Sequence, residues 1–89
     1  MHYPFCKHRV VDYAAWQRVF DADAAAQRAA GLHLLHVLRG ATDPNLVVTL
    51  FRVDDPGKAR AFTEAPTAAE HADSSGVIGV PEISWLTEG

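Results

Sequence analysis

The sequence predicts an α+β domain built in the order β-α-β-β-α-β. Three observations predict it. Short runs with strand alternation or β-branched enrichment occupy residues 3–10, 32–39, 46–53 and 82–86. Two stretches with helical spacing lie between them, each opened by an aspartate. Turn chemistry separates the runs: Gly31, Asp43-Pro44-Asn45 and Ser74-Ser75-Gly76.

Tyr3 to Val10 alternate at the strand period, with Phe5, Lys7 and Arg9 on one face and Cys6, His8 and Val10 on the other. Pro4 sits near the start, where a strand tolerates it. Asp12 is a helix N-cap, and Tyr13, Trp16, Val19 and Phe20 follow on one helical face. Alanines extend that helix, giving an expected span of about 12–30 with Gly31 as the stop. Leu32–Arg39 and Leu46–Val53 form a hairpin across a loop of about six residues. Asp55 caps the second helix and Pro56 takes its first position. Ala59 and Phe62 face inward on it. Pro66 interrupts it, and a short helical piece is expected over 67–73. Val77 to Pro81 reads as an apolar loop before a last strand over 82–86. The order is that of a ferredoxin-like domain, a four-stranded antiparallel sheet with helices on one face. The other face carries apolar side chains and needs a cover.

Composition narrows the function. The chain of 89 residues is long enough for one domain, 1–89. Its net charge is −3, with 8 basic and 11 acidic residues, so the basic stripe of a nucleic-acid binder is missing. No apolar run approaches the roughly 18–20 residues that span a bilayer. The start lacks the basic and apolar regions of a signal peptide. The single cysteine excludes an intrachain disulfide and fits a reducing compartment. The expectation is a cytoplasmic protein with no membrane or nucleic-acid partner.

His8-x-Val10-x-Asp12-Tyr13-x-x-Trp16-x-x-x-Phe20 resembles the opening of a group of small dimeric α+β barrel proteins. Leu50-Phe51-x-Val53, Lys58-Ala59-Arg60-Ala61-Phe62 and Gly76-Val77-Ile78-Gly79-x-Pro81-Glu82 extend the resemblance over nearly the whole chain. The superfamily includes antibiotic-biosynthesis monooxygenases, muconolactone-type isomerases and small polyketide cyclases. The resemblance implies a homodimer whose sheets pack face to face, and a pocket in each subunit between sheet and helices. It also implies activity without a metal or organic cofactor. His33, His36 and His71 depart from the pattern, as does Ala65 before Pro66, where a serine is expected.

His8 is the leading candidate for chemistry. Its parity puts it opposite Lys7 and Arg9, on the helix-covered side, where an imidazole can move a proton near neutral pH. The alternative is a core histidine bonded to a neighbouring group. His36 and His71 are the expected assistants, His36 if it faces the pocket and His71 if its segment forms the pocket rim. His33-x-x-His36 has metal-ligand spacing only in a helix; in a strand the two rings point apart, so no metal is expected. Tyr13, Trp16, Phe20, Phe51 and Trp85 are the aromatic candidates for lining a pocket, or simply for packing the core. Cys6 reads as a small buried hydrophobe, with its backbone about 6–7 Å from that of His8. The preferred function is cofactor-free cyclisation, isomerisation or dehydration of a small hydrophobic molecule by histidine acid–base chemistry. A cofactor-free monooxygenase and a non-catalytic ligand-binding dimer are the alternatives.

Overall fold

The structure is a computed structural model and describes residues 1–65 and 75–89. The elements run β1 (His2–Val10), α1 (Tyr13–Ala22), α2 (Ala24–Ala29), β2 (Leu32–Arg39), β3 (Leu46–Val53), α3 (Pro56–Thr63) and β4 (Val77–Thr87). The strands form one antiparallel sheet in the order β2-β3-β1-β4, the ferredoxin-like topology.

Local signals act where the sequence places them. The Asp12 carboxylate accepts from the Ala15 backbone N–H and starts α1. Asp55 does the same for α3 through Lys58, with Pro56 opening the helix. Gly31 leaves α2 at φ +81°, a conformation that side chains rarely adopt. The single helix expected over 12–30 is divided at Asp23, which ends α1 and begins α2 while staying in the right-handed helical region. Aspartate is a poor interior helix residue, and the flanking alanines do not compensate for it. The helical piece expected over 67–73 lies outside the described residues, as does His71.

Two irregularities control where side chains point. In β2 the register slips between Leu34 and His36, with Leu34 opposite Phe51 and His36 opposite Leu50. One extra residue reverses the facing of everything after it. The second lies in β4. Lys7 is opposite Glu82 and Arg9 opposite Ile78, so two extra β4 residues accumulate across from His8. Gly79, at φ +73°, makes this bulge possible. The apolar loop expected over Val77–Pro81 is therefore the first half of a long strand, bent at the bulge.

The inward face of the sheet carries Val10, Val47, Phe51 and Val53 beneath the helices. One cluster joins Ala30, Leu32, Phe51, Val53 and Ala59, and another joins Val10, Trp16 and Val47; Phe20 packs on both. Each large side chain buried here contributes on the order of 1.5–3 kcal/mol. The outward face holds Phe5, Val48 and Leu50 together with the exposed Leu38, Ile78 and Leu86.

Candidate active site

Between the inward sheet face and the helices lies a cavity of about 430 Å³. Strand β1 supplies Pro4, Cys6 and His8 to its floor, and β3 adds Thr49 and Phe51. Trp16, Val19 and Phe20 come from α1, and Gln27 from α2. The rim is formed by the end of α3 and by the β4 bulge, where Val80, Pro81 and Ile83 line the opening. At the bulge no β4 residue pairs with His8, and Val80 and Pro81 of the bulge line the cavity that His8 also lines.

His8 Nδ1 lies 3.5 Å from Cys6 Sγ. The two side chains lean together by more than strand spacing alone would bring them. Thr49 stands opposite Cys6 in the β1–β3 register. His8 Nε2 is buried and has no hydrogen-bond partner among the described residues. The Trp16 ring stands 5.5 Å from the imidazole and stacks at 4.7 Å on Phe20.

Burial sets the protonation states. It pushes the Cys6 thiol up to about 11, against a smaller downward pull from the Thr49 hydroxyl. Cys6 is thus a neutral thiol at neutral pH, without the thiolate a nucleophile needs. Burial also holds His8 below its ordinary 6.5, so its ring is neutral and one nitrogen is a free base. A neutral imidazole with an unpaired buried nitrogen, against an apolar cavity, can accept a proton from a bound molecule.

Of the residues singled out in the sequence, His8, Trp16, Phe20 and Phe51 meet at this cavity. His36 does not. The β2 slip turns it to the outward face, exposed and opposite Leu50. His33, opposite Arg52, shares that face and reaches Asp54 at 3.8 Å. The slip therefore overturns the expectation that the two rings point apart. No group of three or more potential metal ligands occurs among the described residues. Tyr13 and Trp85 stay outside the cavity: Tyr13 packs on Trp16 beneath the Arg39 guanidinium, and Trp85 packs on the other core cluster beneath Arg60. Thr49 and Gln27 escaped the sequence reading. The signal for Thr49 was a single hydroxyl alternating with Val47 and Phe51; Gln27 falls on the face of Trp16 and Phe20. No helix among the described residues is long and apolar enough to cross a membrane.

No protein-family model matches the sequence, and neither does any curated protein. Solved structures do match. A candidate antibiotic biosynthesis monooxygenase from Bordetella bronchiseptica superposes with a TM-score of 0.80 at 11% identity, over 99% of this chain and 96% of that one. One from Caulobacter crescentus gives 0.74 at 16% identity, over 96% and 86%. SnoaB, a cofactor-independent oxygenase from Streptomyces nogalater, gives 0.71 at 20% identity, over 99% and 92%. At these identities the likeness establishes the fold, the ferredoxin-like arrangement expected from the sequence.

Proposed function

We propose that this protein is a cofactor-independent enzyme that takes a small, mostly apolar molecule into the cavity and begins its chemistry at His8. The observation that carries this reading is the neutral His8 ring beside an apolar cavity, with Nε2 buried and without a partner among the described residues. Leaving such an atom without a partner costs about 1–3 kcal/mol. A ligand hydroxyl that donates to it recovers that cost. The proton then moves from an enol or phenol of the substrate to Nε2, while Trp16, Phe20 and Phe51 hold the substrate skeleton.

Among the reactions open to the resulting anion, oxygenation draws support from the neighbours, SnoaB above all. A ring or chain methylene made acidic by the enol system would give up its electrons to dioxygen. A C–O bond forms, the second C–H proton is lost, and the O–O bond of the peroxide breaks. A carbonyl remains and water leaves, with the substrate as the only reductant. Cyclisation, isomerisation or dehydration would start from the same anion without oxygen uptake.

The outward sheet face suits a second copy of the chain. Leu38, Ile78 and Leu86 are about half exposed there beside Phe5, Val48 and Leu50. The proposed assembly is a homodimer through this face, acting in the cytoplasm.

The test is mass-spectrometric profiling of a small-molecule extract incubated with wild type or with His8→Phe. A product heavier by oxygen, formed by wild type alone, supports the oxygenase. A product of unchanged mass, or one lighter by water, moves the assignment to isomerase, cyclase or dehydratase. A ligand recovered unchanged, or equal turnover by both proteins, contradicts the reading.

A further inference from the structure

Among the described helical residues, Gln27 is the buried polar one: it is 8% exposed and lines the cavity from α2. A glutamine is costly there. Burying its amide is unfavourable unless the amide is hydrogen-bonded, and fixing its long side chain loses rotamer freedom. The side chain forms no hydrogen bond with a described residue, yet neither amide atom is sealed from open space as His8 Nε2 is. The amide therefore opens onto the space that Gln27 lines.

Gln27 also stands away from His8. Phe20, Gln27 and Leu32 together line both the main cavity and a neighbouring hollow of about 300 Å³. Leu32 is opposite Val53 and His8 is opposite Val47, near the two ends of β3. A row of rings joins the two regions. The Trp16 ring lies 5.5 Å from His8 and 4.7 Å from Phe20. A flat skeleton along this row would put one end at His8 and the other toward Gln27.

We infer that Gln27 is a specificity-determining residue, donating an amide N–H to a substrate carbonyl oxygen at the opposite end from the hydroxyl that His8 engages. The inference rests on the cavity being the substrate site, as proposed above. It narrows the substrate class to conjugated hydroxy-ketones with their two oxygens at opposite ends of the skeleton. When the hydroxyl proton passes to His8 Nε2, the electron pair left behind spreads through the conjugation onto that carbonyl oxygen. An N–H already held there meets the charge as it forms.

The test uses two pairs of probes of different length. One pair is para-hydroxyacetophenone and para-isopropylphenol. The other is an acetylnaphthol, substituted at opposite ends of its rings, and the matching isopropylnaphthol. Within each pair a methyl group replaces the carbonyl oxygen at nearly the same shape. All are titrated by calorimetry into wild type and Gln27→Met, which keeps the side-chain length and removes the amide. The ketone-to-isopropyl affinity ratio should fall about five- to tenfold in the variant for at least one pair. Methionine suits a buried site, and circular dichroism checks the fold. Heteronuclear NMR of the wild type gives a second reading. The Gln27 side-chain amide signals should shift with the ketone of that pair and not with its isopropyl partner. A ratio unmoved in both pairs, or amide signals that respond to neither ketone, overturns the inference. Binding of no probe overturns it together with the cavity assignment. His8→Phe separates the two ideas. It should weaken both members of a pair alike and leave their ratio in place. A ratio lost there puts the discrimination at His8 and overturns the role of Gln27. Unchanged affinities there contradict the role of His8, while the retained ratio still supports Gln27.

Discussion

His8→Phe should make the protein more stable while removing its function. In the wild type, Nε2 is buried without a partner among the described residues. That desolvated nitrogen costs about 1–3 kcal/mol. Phenylalanine keeps a flat ring against Trp16, which sits 5.5 Å away, and the cavity beside it accommodates the extra carbon. The substitution loses only the 3.5 Å contact to Cys6 Sγ, a weak bond to sulfur of about 0.5 kcal/mol or less. The balance is a gain of about 0.5–2.5 kcal/mol. In a domain of this size each kcal/mol raises Tm by about 4–8 °C. Urea denaturation at neutral pH, followed by tryptophan fluorescence and circular dichroism, measures it. A histidine kept for structure would behave oppositely, because its replacement breaks a bond the fold relies on. A loss of about 1 kcal/mol or more in His8→Phe would refute the argument that its nitrogen is reserved for a ligand.

Three further outcomes follow from the same geometry. Because burial lowers the His8 pKa, the unfolded chain binds the proton more readily than the folded one. Stability from this residue is therefore level above about pH 6.5 and declines as pH falls from there through the lower folded value. The difference between wild-type and His8→Phe urea midpoints should grow on acidification; a constant difference contradicts the depressed pKa. Cys6, pushed up to about 11, should react slowly with iodoacetamide at neutral pH and gain rate only toward alkaline pH. An inflection in that rate near pH 7 would mean a stabilised thiolate instead. Leu38→Asp places a charge on the outward sheet face and should convert dimer to monomer in sedimentation velocity with the far-UV spectrum retained. A wild-type monomer, or a variant dimer of equal strength, rules out association through this face.

Most of the architecture was legible because its signals are local. Asp12, Asp55-Pro56, Gly31 and Asp43-Pro44-Asn45 each act within a few residues of where they stand, and the first hairpin has the strand limits expected from sequence. The parity of β1 likewise put His8 on the helix side. The misplacements have a common physical origin in bulges. A bulge depends on the strand across from it, which alternation within a single strand does not reveal. Leu35 in β2 sends His36 to the wrong face for chemistry and brings His33 round to share it. Gly79 turned an expected loop into the bent strand that opens the cavity beside His8. Gly79 inside an apolar run was a usable sign of this, since glycine within a strand marks such bends. The Cys6–His8 contact was beyond sequence reading, because it depends on both side chains leaning within the space the bulge leaves.

The central claim is that His8 takes the proton that starts an oxygen-consuming reaction in this cavity. Its most direct test is turnover of an uncharged, enolisable polycyclic phenol under isotopically heavy dioxygen, by wild type and His8→Phe side by side. The account predicts one heavy oxygen atom in the product carbonyl with wild type, and loss of that product together with higher stability in the variant. Equal label incorporation by both proteins, or turnover by wild type without any heavy oxygen in the product, would contradict it.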